Sequence, residues 1–289
     1  WQQMINYTRG GGGVNMFCRQ HGFKLRIVDV GVDHDFPECL ISTCDSDTDN
    51  KIINCKIAYG TNNFLYGPAM TENEWQRAIT VGEEQVDACH KEGCNIISFG
   101  EMGIGNTTTA SAVLSVLLDV DAEKVTGRGA GITDNELKKK KDVIKQAIKI
   151  NNPDKNDVLD VLSKVGGFDI AAMCGAYLGA AASRKPVVID GFISVVAALC
   201  AVRLCPNVLN YLIASHASFE IGYSLAIKEL GISPMLNLNM RLGEGSGCPL
   251  AFQIVDAACS IMNKMATFEA ANINDDYLEE IRQGDNFTP

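Results

Sequence analysis

One glutamate in this sequence lies in a turn, where a chemical role accounts for its side chain better than a structural role does. The segment MRLGEGSG (residues 240–247) places Glu244 between Gly243 and Gly245, after an apolar run and before an amphipathic helix. Turns of this kind more often contain Asp, Asn or Ser, whose short side chains bond to the local backbone. A longer acid between two flexible glycines has the reach that a general base needs to take a proton from a substrate.

A second carboxylate, Glu101, begins the segment EMGIGNTTT (101–109) directly after another predicted strand. If Glu101 and Glu244 face one pocket, charge repulsion raises the pKa of a carboxyl there, and burial adds to the rise. The alternative is structural, because an acid near a helix N-terminus is stabilised by the helix dipole. Both interpretations of Glu101 are compatible with the residues alone.

The same segment has the features of a phosphate-binding turn. A strand ends, Gly103 and Gly105 follow, and Asn106 or a threonine begins a helix. Exposed amides at a helix N-terminus bind phosphate, glycines allow close approach, and Thr107 adds a hydroxyl. The turn is not a P-loop, because Asn106 occupies the position of the P-loop lysine. A well-capped strand–turn–helix without a ligand is the alternative.

Four consecutive lysines (138–141) lie in the predicted helix ELKKKKDVIKQAI. They point in four directions around a helix, so at least three must be solvated and one can reach the phosphate site.

Two more strand ends carry polar residues. Asp190 and Gly191 in VVIDGF suit a sugar hydroxyl or the cap of the next helix, and His216 and Ser218 follow in IASHASFE. A lone histidine is more often structural than a metal ligand.

Composition excludes several classes of function. The chain has 289 residues, a net charge of −10 and a pI near 4.9. An acidic protein is a poor partner for nucleic acid or an anionic membrane, since both require a basic field. The sequence also has no apolar run of membrane-spanning length. We therefore expect small-molecule substrates rather than nucleic acid or a membrane.

The cysteines indicate a reducing compartment. There are eleven of them, an odd number, without a CxxC pair. Five of them, Cys18, Cys174, Cys200, Cys205 and Cys259, lie in apolar helical or strand contexts, as expected for buried thiols of a cytoplasmic protein. Cys39 and Cys44 lie near His34 and Asp35, but their spacing matches no standard zinc pattern. We therefore expect no metal and no cofactor.

Strands and helices alternate at least five times along the chain, which predicts an α/β fold with a mostly parallel sheet covered by helices on both faces. A capping box at Thr71 and Glu74 begins one helix, and residues 33–71 are expected to be irregular. Ligands of such folds bind beyond the carboxyl ends of the strands, where the glycine clusters of this sequence lie. The predicted strands are 24–30, 94–101, 186–190, 209–215 and 234–239.

Several segments together resemble one enzyme family. They are TRGGGGVNM, IVDVGV, GPAMT, GEMGIGNTT, VLSKVGGFDI, VVIDGFIS, LIASHASFEIG and MRLGEGSG, in this order over roughly residues 1–272. The chain resembles the nicotinate-nucleotide–dimethylbenzimidazole phosphoribosyltransferases, which make α-ribazole phosphate for the lower ligand of cobalamin. The resemblance implies a core domain (22–250) carrying the nucleotide site. It also implies a smaller helical domain from both chain ends (1–21 and 251–289), a cytoplasmic location and a homodimer.

The resemblance also implies roles for individual residues. Glu244 would be the catalytic base that deprotonates the acceptor ring nitrogen, which then attacks C1′ of nicotinate mononucleotide and inverts its configuration. Asp190 and Gly191 would lie near the ribose, and Glu101 near the departing nicotinate. Met102 and Leu242 would flank the acceptor ring, with Gln3 at its edge. The phosphate ligands would be Gly103, Gly105, Asn106, Thr107, Lys140 and Ser218.

Two departures from the family bear on the acceptor. The chain begins at Trp1 rather than Met, near the point where the family's N-terminal region, which helps to wall the acceptor pocket, would join. We therefore expect either a fragment or processed form, or a pocket completed by another subunit. Some relatives accept purines, phenol or p-cresol, so the acceptor stays open between these and a benzimidazole.

Two other functions are less consistent with the residues. A non-catalytic subunit of a heteromeric relative has no need of an acid in an intact RLGEGSG turn. A phosphate-handling NTPase needs the P-loop lysine that this chain lacks.

Overall fold

The computed structural model describes residues 1–42 and 50–274. Cys44, part of the candidate metal group considered above, lies outside them. By its internal contacts the chain divides into Trp1–Ala251 and Phe252–Pro289. The assignment of both chain ends to one smaller domain stays a prediction.

The strands form two parallel sheets. In the smaller sheet, β1 (Ile27–Asp29) pairs with β2 (Ile52–Asn54). The larger sheet has the order β3 (Ile97–Phe99), β4 (Val187–Ile189) and β5 (Leu212–Ala214). This architecture confirms the predicted α/β fold class, in which parallel strands are joined through helices.

Helices connect and flank the strands. Within residues 1–42 and 50–274, the short 3₁₀ segments are Glu38–Leu40, Ala122–Lys124 and Pro206–Tyr211. The α-helices are α1 (Gln2–Thr8), α2 (Gly13–His21), α3 (Glu72–Lys91), α4 (Asn106–Leu118), α5 (Asp134–Asn151), α6 (Val158–Val165), α7 (Phe168–Ala182), α8 (Phe192–Leu204), α9 (Ile221–Leu230) and α10 (Cys248–Lys264).

The main core surrounds the larger sheet. α8 is apolar on all sides, and each of its residues from Phe192 to Ala201 is buried. A helix without a polar face belongs in the interior, and α4 and α7 are nearly as apolar. The buried residues of these helices and of the sheet form one continuous cluster. The site at the strand ends therefore stands on a rigid base.

Local signals in the sequence predict most of these elements, and the capping box at Thr71 is confirmed. Three details differ. The segment 33–71, expected to be irregular, contains β2. Residues 209–211 belong to a 3₁₀ turn that precedes β5.

The third difference is that the predicted strand 234–239 is wrong. It forms a single bridge, between Leu236 and His216, beyond the end of β5. Pro234 has no N–H with which to extend the ladder, and Leu238 is 55% exposed. The segment therefore gains no buried face that would hold it as a strand.

Helices α3 and α7 pack with their backbones in contact. A methyl group on Gly82 would lie 1.9 Å from the Ala172 carbonyl oxygen, and one on Gly175 would lie 2.1 Å from the Ile79 carbonyl oxygen. Only glycine fits at these two positions.

Gly175→Ala should therefore lower the free energy of unfolding by about 1–3 kcal/mol, because the added methyl group meets backbone that cannot move aside. The matched control is Gly179→Ala on the same helix, where the nearest atom, the Glu83 Cα, is 3.3 Å away. That variant should stay within about 1 kcal/mol of the parent, since alanine also favours the helix. Urea unfolding of the three proteins measures the difference, and equal stabilities would contradict it.

Candidate active site

The ends of three strands define one edge of the larger sheet. Phe99, Ile189 and Ala214 are the last residues of β3, β4 and β5 and lie side by side. The residues that follow them, Gly100, Asp190 and Ser215, must therefore begin at the same edge. The candidate residues of the sequence analysis come from these connections and from the turn at 243–247.

The turn that carries Glu244 has an unusual backbone. Gly243, Glu244 and Gly245 have φ values of 80°, 64° and 75°, so three consecutive residues are left-handed. Glycine adopts this conformation freely, whereas a residue with a side chain loses about 1–2 kcal/mol. The glycines thus shape a fixed turn rather than a mobile hinge. Strain of this kind persists where surrounding contacts hold it, often at functional sites.

Both oxygens of the Glu244 carboxylate are held from the N-terminal helices. Gln3 Nε2 donates to Oε1 at 2.8 Å, and the backbone N–H of Gly13 donates to Oε2 at 2.9 Å. Gln3 lies on α1, and Gly13 is the first residue of α2. Gln3 therefore contacts the expected base itself. These two contacts fix where the carboxylate points.

Glu101 lies close to this turn, within a second group of acids. A methyl group on Gly243 would lie 3.0 Å from Glu101 Oε1. The amide of Asn106 donates to the Glu101 carboxylate and, at 3.0 Å, to Asp169 Oδ2. Burial and the charge of Asp169 raise the pKa of Glu101 to about 8, and the bond from Asn106 opposes the rise. Glu244 contributes less than Asp169.

The N-terminus of α4 and one lysine of α5 form the candidate phosphate site. Lys140 Nζ donates to Thr107 Oγ1 at 2.8 Å and to the Gly127 carbonyl at 3.0 Å. Lys141 instead pairs with Glu123, and Lys138 and Lys139 are exposed. The structure thus brings one lysine of the four to this site, where burial lowers its pKa.

The remaining phosphate candidates lie on nearby connections. Gly105 is the left-handed residue before α4, and Gly103 lies against the Asn106 side chain. A methyl group on Gly191 would lie 3.6 Å from Ser218 Oγ, so these two candidates are neighbours.

The residues expected to flank an acceptor ring are exposed and apolar. Met102 and Leu242 have 41% and 57% of their surface exposed and adjoin the Glu101 and Glu244 segments. A methyl group on Gly13 would lie 2.6 Å from Leu242 Cδ2, so Leu242 also lies against the start of α2.

Comparison with known proteins decides the family. The family model for phosphoribosyltransferases (DBI_PRT) matches residues 1–273. The chain belongs to the nicotinate-nucleotide–dimethylbenzimidazole phosphoribosyltransferase family. It is therefore a pentosyltransferase.

Proteins that are similar in sequence and in structure support the same family assignment. A protein of Clostridium perfringens (strain ATCC 13124) with the family's name is 48% identical over 97% of this chain and 74% of its own length. One from Acetivibrio thermocellus is 48% identical over 93% of this chain and 73% of its own. The crystal structure of CobT from Thermus thermophilus matches with a TM-score of 0.87 and 34% identity, over 95% of this chain and 79% of that one.

The described part of this phosphoribosyltransferase contains neither a cluster of metal ligands nor a membrane-spanning helix. Within residues 1–42 and 50–274, no group of three or more His, Cys, Asp or Glu side chains is placed to bind a metal ion. In the same part of the chain, none of the helices has the length and hydropathy of a membrane span.

Sequence reasoning missed two site residues, Gly13 and Asp169. Gly13 contributes through its backbone N–H, which no side-chain pattern reveals. Asp169 had a signal in GGFDI, since it follows two glycines at the start of α7, but nothing in the sequence pointed to Asn106 as its partner.

The raised pKa of Glu101 predicts a pH-dependent stability. Its pKa is about 8 in the folded state and ordinarily 4.5, so folding takes up a proton between these values. The stabilisation is complete below the ordinary pKa and is lost as the pH rises through 8. Glu101→Gln removes this dependence. Relative to the parent, the variant should gain at least about 1 kcal/mol in free energy of unfolding between pH 5 and pH 9.

Urea unfolding at pH 5, 7 and 9 measures this gain. The exposed Glu38, changed to Gln, serves as the control and should follow the parent at each pH. A Glu101→Gln protein with the parent's pH dependence would show that Glu101 ionises normally.

Proposed function

We propose that this enzyme transfers the phosphoribosyl group of nicotinate mononucleotide to 5,6-dimethylbenzimidazole. The products are nicotinate and α-ribazole 5′-phosphate, which supplies the lower ligand of cobalamin. The observation that carries the proposal is the Glu244 carboxylate, oriented by Gln3 and Gly13 at a strand-end edge that also holds Lys140 and Thr107. The names of the relatives support the same reaction.

The chemistry needs one proton transfer and one displacement. Glu244 takes the N–H proton of the acceptor ring, and the ring nitrogen attacks C1′ of the ribose. The bond from C1′ to the nicotinate nitrogen breaks, and its electron pair stays on that nitrogen and neutralises the pyridinium charge. Attack opposite the leaving group inverts the configuration from β to α. Alignment of the two rings then provides most of the remaining rate enhancement.

Charges around the site suit a cationic ribose. As the nicotinate departs, positive charge develops on C1′ and the ring oxygen. The carboxylates of Glu244 and the more deeply buried Asp190 would create a negative field that favours this charge. Glu101, with a pKa near 8, is mostly uncharged at neutral pH and so can donate a hydrogen bond near the leaving group.

The phosphate of the substrate would be held at the other side of the edge. The backbone amides at the start of α4, together with Lys140 and the hydroxyls of Thr107 and Ser218, match the needs of a phosphate dianion. Gly191 allows the ribose to approach the backbone. Met102 and Leu242 would contact the faces of the flat acceptor ring.

The identity of the acceptor is the more specific part of this proposal. The names of the relatives favour dimethylbenzimidazole over phenol or p-cresol. They also favour an active enzyme over a non-catalytic subunit.

We also propose that the enzyme is a cytoplasmic homodimer. The buried cysteines Cys18, Cys174, Cys200 and Cys248 are free thiols, as expected in a reducing compartment. The dimer is supported by the resemblance of the sequence to the family.

Lys140→Met should raise the KM for nicotinate mononucleotide about 10- to 100-fold, the effect of losing a charge-assisted hydrogen bond to phosphate. The change in kcat should be smaller. Lys139→Met, an exposed neighbour on the same helix, is the matched control and should leave KM unchanged. Steady-state kinetics at saturating acceptor measures both, and an unchanged KM in Lys140→Met would remove this lysine from the phosphate site.

Glu244→Gln should lower kcat at least about 100-fold, because the amide keeps the shape of the side chain but takes up no proton. Binding of nicotinate mononucleotide should be retained. The assay follows nicotinate release and α-glycosidic phosphate formation by chromatography, with dimethylbenzimidazole, adenine, phenol and p-cresol as acceptors. If the Glu244→Gln variant kept full activity, Glu244 would be excluded as the base. If the parent turned over only with a phenol, a phenol would replace dimethylbenzimidazole as the proposed acceptor.

A further inference from the structure

Asp190 is buried directly beneath the turn that carries Glu244. It follows the last residue of β4, the central strand of the larger sheet, and is 2% exposed. Its Oδ2 accepts from the backbone N–H of Gly245 at 3.1 Å, and its Oδ1 accepts from that of Gly247 at 2.9 Å. One carboxylate thus binds two amides of the turn, including the one directly after Glu244.

An aspartate is the side chain that fits this arrangement. Both of its oxygens accept hydrogen bonds, whereas an asparagine would present an N–H₂ group to one of the two amides. Burial raises the pKa of Asp190 to about 6, and the bonds from Gly247 and Gly245 oppose the rise. The nearest basic group, His216 Nδ1, is 3.8 Å from Oδ1 and also contacts Ser215 Oγ. Burial lowers the pKa of His216 and so favours its neutral form.

The turn also rests on the end of β3. A methyl group on Gly100 would lie 2.3 Å from the Gly245 nitrogen and 2.5 Å from the Glu244 carbonyl carbon. The turn therefore lies against both the backbone at Gly100 and the carboxylate of Asp190. These contacts hold Glu244 in a left-handed conformation that it would not adopt by itself.

We propose that Asp190 is a positioning residue for the general base, which holds the turn so that Glu244 meets the acceptor at a fixed distance from C1′. The proposal rests on the proposed role of Glu244. It assigns Asp190 a contact with the enzyme's own backbone. Each of its two carboxylate oxygens accepts a hydrogen bond from a backbone amide of the turn.

Asp190→Asn tests the proposal by separating kcat from binding. The variant should lose about 10- to 100-fold in kcat, as expected when a catalytic group is displaced by about 1 Å. The KM and Kd for nicotinate mononucleotide should stay within about threefold of the parent, because Lys140 and Thr107 lie on other elements. An unchanged kcat, or a loss of nucleotide affinity that matches the loss of kcat, would overturn the proposal.

A control variant accounts for lost stability. Ser115, buried on α4, donates to the Val120 carbonyl at 2.6 Å, well along the helix from its N-terminal site. Ser115→Ala should lower the melting temperature without changing kcat. If Asp190→Asn fails to fold, Asp190→Ser retains one acceptor oxygen, and its kcat should be reduced while its nucleotide affinity is kept. Parent-like kcat in that variant would equally overturn the proposal.

The double variant shows whether Asp190 acts through Glu244. In the Glu244→Gln background, Asp190→Asn should cause little further loss of rate, because the group that it positions is already inactive. A full additional loss would assign Asp190 a separate role and overturn the proposal. Full activity of Glu244→Gln alone would instead remove the proposed function, so the two failures are distinguishable.

Discussion

The parallel register of β3, β4 and β5 is the constraint on which the site depends. Because the three strands end level with one another, the connections after them begin at one edge. That edge receives Glu101 from the first connection, Asp190 from the second and Ser218 from the third. Helices packed on the sheet hold these ends rigidly, and α4 adds its N-terminal amides at the same place.

Backbone segments approach one another closely both in the core and at the site, because glycines leave room between them. In the core, Gly82 and Gly175 let α3 and α7 touch. At the site, Gly100 lets the end of β3 touch the turn at Glu244. In both places a methyl group would separate two elements, so rigid packing extends from the interior up to the proposed base.

Buried acids give the site its electrostatic character. Glu101, Asp169 and Asp190 each have a raised pKa, and burial is the largest cause in all three. Each accepts hydrogen bonds from amides, which limit the cost of burying charge. Such a site disfavours anions but favours the cationic ring and ribose of the proposed substrate. In the proposed function, Lys140 and the α4 N-terminus would hold the substrate phosphate separately.

The sequence by itself determined the fold class, the family and most of the candidate residues. Strand–helix alternation and strand-end glycines are local patterns, and Glu244 was conspicuous because its length did not suit a turn. Lys140 came from the family resemblance, since four adjacent lysines are indistinguishable by type. The predicted strand 234–239 was wrong because a local pattern cannot show whether folding will bury one face of the segment.

Only the tertiary structure decided which groups meet. It linked Glu101 and Asp169 through the Asn106 amide, placed Gln3 and the Gly13 amide on Glu244, and turned Asp190 towards the backbone of the turn that carries Glu244. These contacts join residues up to 241 positions apart. Hydrogen bonds to backbone amides cannot be inferred from residue types, because every residue except proline has the same backbone N–H. The pKa of an acid depends on neighbours that only folding brings close to it.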